Sequence, residues 1–194
     1  MTLKTTLTAF ALMTFLSAPA HAQISEIRAG LTEFDETTTG INWGAGMGRE
    51  NSIGINAELI FDPLLGKDKS LRLHPYIGGM VNLNGDTSYA AAGVMLRKDF
   101  TQKFYGDIGI GLAVHDGRIQ LSDLPRSERR DAFLNGISFG SRFLFRPQIT
   151  LGYRIDDNWA GEVFMDHLSN GNVLDSTGIN EGVDNLGIRV ARRF

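Results

Sequence analysis

Apolar and polar residues alternate along most of this chain. From position 104, one face of an extended segment would carry Phe104, Ile108, Ile110, Leu112 and Val114, with Gly106 among them. The other face would carry Tyr105, Asp107, Gly109, Gly111, Ala113 and His115. Period two over such a length predicts a β-strand with two unlike faces. Residues 52–62 repeat it, with Ile53, Ile55, Ala57, Leu59 and Phe61 set against Gly54, Asn56, Glu58 and Ile60. Residues 136–154 form a longer predicted strand, with Phe143, Phe145, Ile149 and Leu151 on one face and Arg142, Arg146, Gln148 and Arg154 on the other. Residues 159–170 place Trp159, Val163 and Met165 against Glu162, Asp166 and Asn170, and 184–194 place Leu186, Ile188 and Val190 against Asn185, Arg189 and Arg193. Weaker alternation marks 24–34, 75–84 and 89–98.

The count comes to about eight strands, each near the roughly 9–11 residues that cross a bilayer as a tilted strand. No amphipathic helix pattern competes, and no linker divides the chain. The reading is all-β: one eight-stranded antiparallel transmembrane β-barrel of the bacterial outer membrane, with both termini in the periplasm. Its narrow lumen would pack Glu58, Asp107, Glu162 and Asp166 with Arg142, Arg146, Arg154, Arg189 and Arg193 into a paired network. A soluble sandwich holding these charges in water is the alternative. Even strand spacing and the aromatic Phe194 favour the membrane. The outward loops are then expected near 35–51, 84–88, 116–135 and 171–183, and the inward turns near 62–74, 99–103 and 155–158.

The first residues read differently. Lys4 precedes an apolar run at 7–16, and Ala20-His21-Ala22 has the form of a cleavage site. This predicts a signal peptide over 1–22, leaving 23–194 as the barrel domain. The apolar run is too short for a spanning helix, which needs about 20 residues. Cysteine is absent, which excludes disulfides and thiolate metal sites. A formal net charge of −3 gives no reason to expect nucleic acid as a partner. Mean hydropathy of −0.09 cannot separate soluble proteins from barrels, because half of each barrel strand faces a polar lumen.

The candidate chemistry lies near the end of the chain. His167 and Ser169 stand at i and i+2 of a predicted strand, so they project from one face. Glu181 follows the serine by twelve positions. Serine, histidine and an acid are the nucleophile, base and base-orienter of a hydrolase triad. His167 and Ser169 share parity with Val163 and Met165, the apolar face. They therefore point outward, toward lipid, where an ionisable pair is costly and marks a functional site.

His167-Leu168-Ser169-Asn170, then Asn180-Glu181-Gly182 and a last strand ending at Phe194, resemble the lipid A 3-O-deacylase (PagL, acyloxyacyl hydrolase) family. The diagnostic residues cover 159–194. The resemblance implies an outer-membrane enzyme that removes the ester-linked 3-hydroxyacyl chain at position 3 of lipid A in lipopolysaccharide. It implies Ser169 as nucleophile, His167 as general base, Glu181 as orienter and Asn170 in the oxyanion hole. It calls for no metal or cofactor. Gly171 and Asn172 follow Asn170 where the family commonly has a small residue and then glycine. Lipopolysaccharide in the outer leaflet would be the substrate, and a homodimer is compatible with the reading.

Other features carry less. Gly136-Ile137-Ser138-Phe139-Gly140 fits G-x-S-x-G, but that elbow needs a strand–turn–helix context, and here it lies inside a predicted strand. His74 and His115 have no ligand partners at metal spacing. Arg126, Arg129 and Arg130 form a basic loop that could meet lipopolysaccharide phosphates, although a solvated loop explains them as well. Two other functional classes remain open. An outer-membrane phospholipase would use calcium and a larger barrel. A non-enzymatic small barrel would leave His167 and Ser169 idle.

Overall fold

The computed structural model describes residues 23–36, 48–67, 69–174 and 177–194. The expected signal peptide at 1–22 and much of the first outward loop lie outside them. Eight strands form: β1 (Ile24–Phe34), β2 (Ser52–Phe61), β3 (Leu71–Asn82), β4 (Tyr89–Asp99), β5 (Phe104–His115), β6 (Phe143–Arg154), β7 (Trp159–Leu168) and β8 (Val183–Arg193). Each pairs antiparallel with its sequence neighbour, and β1 pairs with β8 to close the barrel. Closure leaves no strand edge unpaired, which only a barrel achieves among sheets that cross a membrane. This is the architecture the alternation predicted.

The two faces have opposite chemistry. Leu31, Ile55, Ile108, Leu151, Val163 and Ile188 stand exposed on the outer wall, as a lipid-facing surface requires. The lumen is filled. Arg28 pairs with Glu26 at 2.6 Å and Asp107 at 2.6 Å, and Arg97 reaches the same two carboxylates at 2.8 Å each. Arg146 joins Glu58 at 2.7 Å to Asp166 at 2.6 Å, and Arg189 joins Glu58 at 2.9 Å to Glu162 at 2.5 Å. Tyr89 donates to Asp166 at 3.0 Å and Tyr105 to Glu162 at 2.5 Å. Above this network Phe34, Met80, Leu144, Leu168 and Val183 form an apolar plug.

The lumen differs from expectation at both ends. Arg142 is not in the network: it precedes β6, stays exposed and donates to the His115 and Gly117 carbonyls. Arg154 and Arg193 face inward but sit at the mouth, where Arg154 pairs with Asp99 and Arg193 donates to the Asp157 carbonyl. Parity assigns a face; depth depends on where the strand ends. Arg28, Arg97 and Glu26 hold the centre instead, on strands whose alternation is weak.

The segment before β6 departs further. The predicted strand at 136–154 begins only at Phe143, and the chain before it forms a short helix, α1 (Arg129–Asn135). Gly140, at φ +73°, turns the backbone out of the extended form. Residues 136–141 cross the barrel's outer end, burying Ile137 and Phe139 in the apolar plug. Their apolar alternation serves this plug, not a sheet.

Candidate active site

His167 lies near the outer end of β7 and faces outward, as its parity predicts. Across the β7–β8 ladder its partner is Asp184. The His167 Nδ1 stands 2.7 Å from Asp184 Oδ1, with side-chain exposures of 14% and 1%. A buried carboxylate on Nδ1 fixes the ring's orientation and leaves Nε2 to work as a base. Nε2 makes no hydrogen bond among the described residues.

On the other side of β7 the ladder with β6 is interrupted beside His167. Pairing runs to Gln148 opposite Asp166 and resumes only at Phe145 opposite Ser169. Pro147 falls in the gap, where it has no N–H to donate. Ser169 follows β7, anchored by backbone bonds with Phe145 of 2.7 and 3.2 Å. Two residues of extended chain separate it from His167, about 6.6 Å of strand rise. The two side chains share a face without a hydrogen bond between them. In apo sites such bonds often tighten only when substrate binds.

Glu181 is not brought to His167. Its carboxylate accepts from the Ser138 N–H at 2.6 Å and pairs with Arg49 at 3.0 Å. The contact expected of the triad acid is made by Asp184 in this structure. Glu181 precedes β8 and belongs to a brace between loops, whereas the ladder itself delivers Asp184 opposite the histidine. A signal was present in the sequence: Asp184 shares parity with Leu186, Ile188 and Val190, so it is a carboxylate on the lipid-facing side of the last strand.

Asn170 is also placed differently from expectation. It is fully buried, and its Nδ2 donates to the carbonyls of Phe139 at 2.8 Å and Ile179 at 2.6 Å. Its Oδ1 accepts from the Asn172 N–H at 2.7 Å. Both amide hydrogens are therefore spent on loop carbonyls, away from the Ser169 face. Gly171 and Asn172 follow with φ of +62° and +56°. The Gly171 N–H has no acceptor among the described residues. A Cβ on Gly171 would meet the Phe145 ring at 3.1 Å, which puts this turn against the residue paired with Ser169.

Residues 53–193 match the family described as Lipid A 3-O-deacylase (PagL). The chain belongs to that family. The crystal structure of the outer membrane enzyme PagL superposes with a TM-score of 0.60 at 14% identity, covering 88% of this chain and 100% of that one. Neisserial surface protein A gives a TM-score of 0.48 at 12% identity over 89% and 99% of the two chains. Ail of Yersinia pestis in a phospholipid bilayer nanodisc gives 0.47 at 9% over 88% and 99%. No curated protein matches the chain. Membership of the PagL family and the closed barrel make this an outer-membrane protein. The homodimer entertained from the sequence finds no support in these comparisons.

Proposed function

We propose that this PagL-family barrel is a lipid A 3-O-deacylase with Ser169 as nucleophile, His167 as general base and Asp184 as the group that orients the base. The observation that carries the reading is the 2.7 Å contact between His167 Nδ1 and the buried Asp184 carboxylate on a lipid-facing wall, beside Ser169. A polar cluster at that depth is costly unless it is used.

The chemistry follows from these parts. His167 Nε2 takes the Ser169 proton as Oγ attacks the ester carbonyl. Asp184 stabilises the imidazolium that forms. The collapse of the tetrahedral intermediate breaks the bond to the sugar 3-oxygen, which takes the His167 proton and leaves as the 3-hydroxyl. Water then attacks the acyl-serine, with His167 again as base, and a 3-hydroxy fatty acid departs. The Gly171 N–H is the unspent donor for the oxyanion; one such donor is typically worth about 3–4 kcal/mol. A site on the outer wall suits a substrate whose acyl chains stay in the leaflet.

Expression in a Gram-negative host with mass spectrometry of lipid A tests the reading, with Ser169→Ala beside the wild type. Loss of one hydroxyacyl mass with the wild type alone is the expected result. An unchanged lipid A with both proteins, each folded by heat-modifiable gel mobility, would overturn it. Residues 1–22 are read as a signal peptide removed before Gln23; N-terminal sequencing of the membrane-inserted protein checks that boundary.

A further inference from the structure

The barrel end away from His167 opens into a cavity of about 700 Å³. That lies within the range of small-ligand sites, roughly 300–1,000 Å³. In an outer-membrane barrel with both termini at this end, it faces the periplasm. We propose that this mouth is an oxyanion-binding cup that takes a phosphate group.

The charge is lopsided. Lys67, Arg72, Arg154 and Arg193 line the cup beside Arg97 and His74. Arg72 and Arg154 share a single carboxylate, Asp99. Arg193 has no carboxylate partner among the described residues and donates instead to the Asp157 carbonyl at 2.8 Å. Lys67 has no ion pair among them either. The other inner carboxylate, Glu26, is already taken by Arg28 and Arg97. The Asp157 side chain also lines the cup, on an exposed turn, and forms no ion pair among the described residues. With Glu26 and Arg97 paired to one another, Lys67, Arg72, Arg154 and Arg193 are left with two carboxylates, the ion-paired Asp99 and the exposed Asp157.

Unspent donors give a second, independent sign. His74 is 5% exposed and faces the lumen. Its Nδ1 donates to the Phe61 carbonyl at 2.9 Å, so its Nε2, which has no partner, carries a lone pair and makes the ring a reporter at the cup rather than a donor to it. Arg154 Nε and Arg193 Nε are likewise buried without partners. A buried donor left unpaired is costly, and the two guanidinium Nε–H groups at this mouth are what an oxyanion would satisfy. Convergent guanidinium groups match phosphate in geometry as well as charge. The phosphate could be a free ion or the headgroup of an inner-leaflet lipid.

The test uses the whole folded barrel in detergent. Four histidines in the chain make the His74 ring resonances assignable, with His74→Gln to identify them. Inorganic phosphate is titrated against chloride at matched ionic strength. A saturable shift of the His74 signals with phosphate alone, weakened at least tenfold in Arg193→Gln, is expected for a free oxyanion. A shift seen only in phosphatidylglycerol nanodiscs, and lost in Arg193→Gln, assigns the cup to a lipid headgroup. A response equal to chloride with no response to the nanodiscs, or one unchanged in Arg193→Gln, overturns the proposal. Should Arg193→Gln fail to fold, Lys67→Gln, on a side chain without an ion pair, serves as the second variant.

Discussion

The lumen and the outer wall of this barrel both bury ionisable groups, with opposite results. In the lumen, Glu26, Glu58, Asp107, Glu162 and Asp166 each meet at least one guanidinium, and Arg28 alone touches four carboxylates. Their desolvation is offset by close pairing, so these charges do structural work and are spent. On the outer wall, Asp184 holds one nitrogen of His167, and the other nitrogen and the Ser169 hydroxyl find no partner among the described residues. The lumen shows how a barrel accommodates charge. The wall leaves a histidine–carboxylate pair with a nitrogen to spare, which is what the proposed reaction needs.

That contrast breaks most sharply at Ser169. Ser169→Ala is expected to lower deacylation by a factor on the order of 10⁴ or more while the heat-modifiable gel shift stays intact. Residual turnover close to wild type would place the nucleophile elsewhere. The pair Asp184→Asn and Glu181→Gln sharpens the comparison next. Loss of the orienting carboxylate is expected to cost about 10⁴ in kcat. Glu181→Gln keeps a hydrogen-bonding group in the loop brace and is expected to cost less than about tenfold. The reverse ranking, read from kcat on purified lipopolysaccharide, would restore Glu181 to the triad.

A lumen substitution should do the opposite of a wall substitution. Arg28→Met leaves Glu26 and Asp107 with one guanidinium fewer, and breaking such buried pairs costs about 3–5 kcal/mol. Urea unfolding in detergent should show that loss, with activity per folded barrel unchanged. A modest effect on kcat is expected at Asn170. As a clasp on the Phe139 and Ile179 carbonyls, its loss to alanine should lower kcat about tenfold, the worth of one or two hydrogen bonds. A drop of 10²–10³ would instead mark a direct oxyanion donor.

Much of this was legible in the chain. Alternation located all eight strands, and parity put His167 and Ser169 on the lipid side. The same parity argument applies to Asp184, whereas Glu181 was singled out by the family resemblance and its spacing of twelve from the serine. Spacing along a chain says little once a loop intervenes, because a loop's length does not set which residue enters the next ladder. The helix Arg129–Asn135 and the inserted Ile137 and Phe139 were missed for a related reason. Alternating apolar residues read as a strand whether they line a sheet or plug its end.

By itself, then, the sequence determined which residues face lipid and which face the lumen. A strand's side chains alternate by local geometry, and every strand carries that information within itself. Only the tertiary structure decided which acid meets His167 and which arginines pair at depth. It also decided that the far mouth gathers cations without enough carboxylates. Those are facts about residues from different strands, settled by the register in which the barrel closes and by the level at which each strand ends.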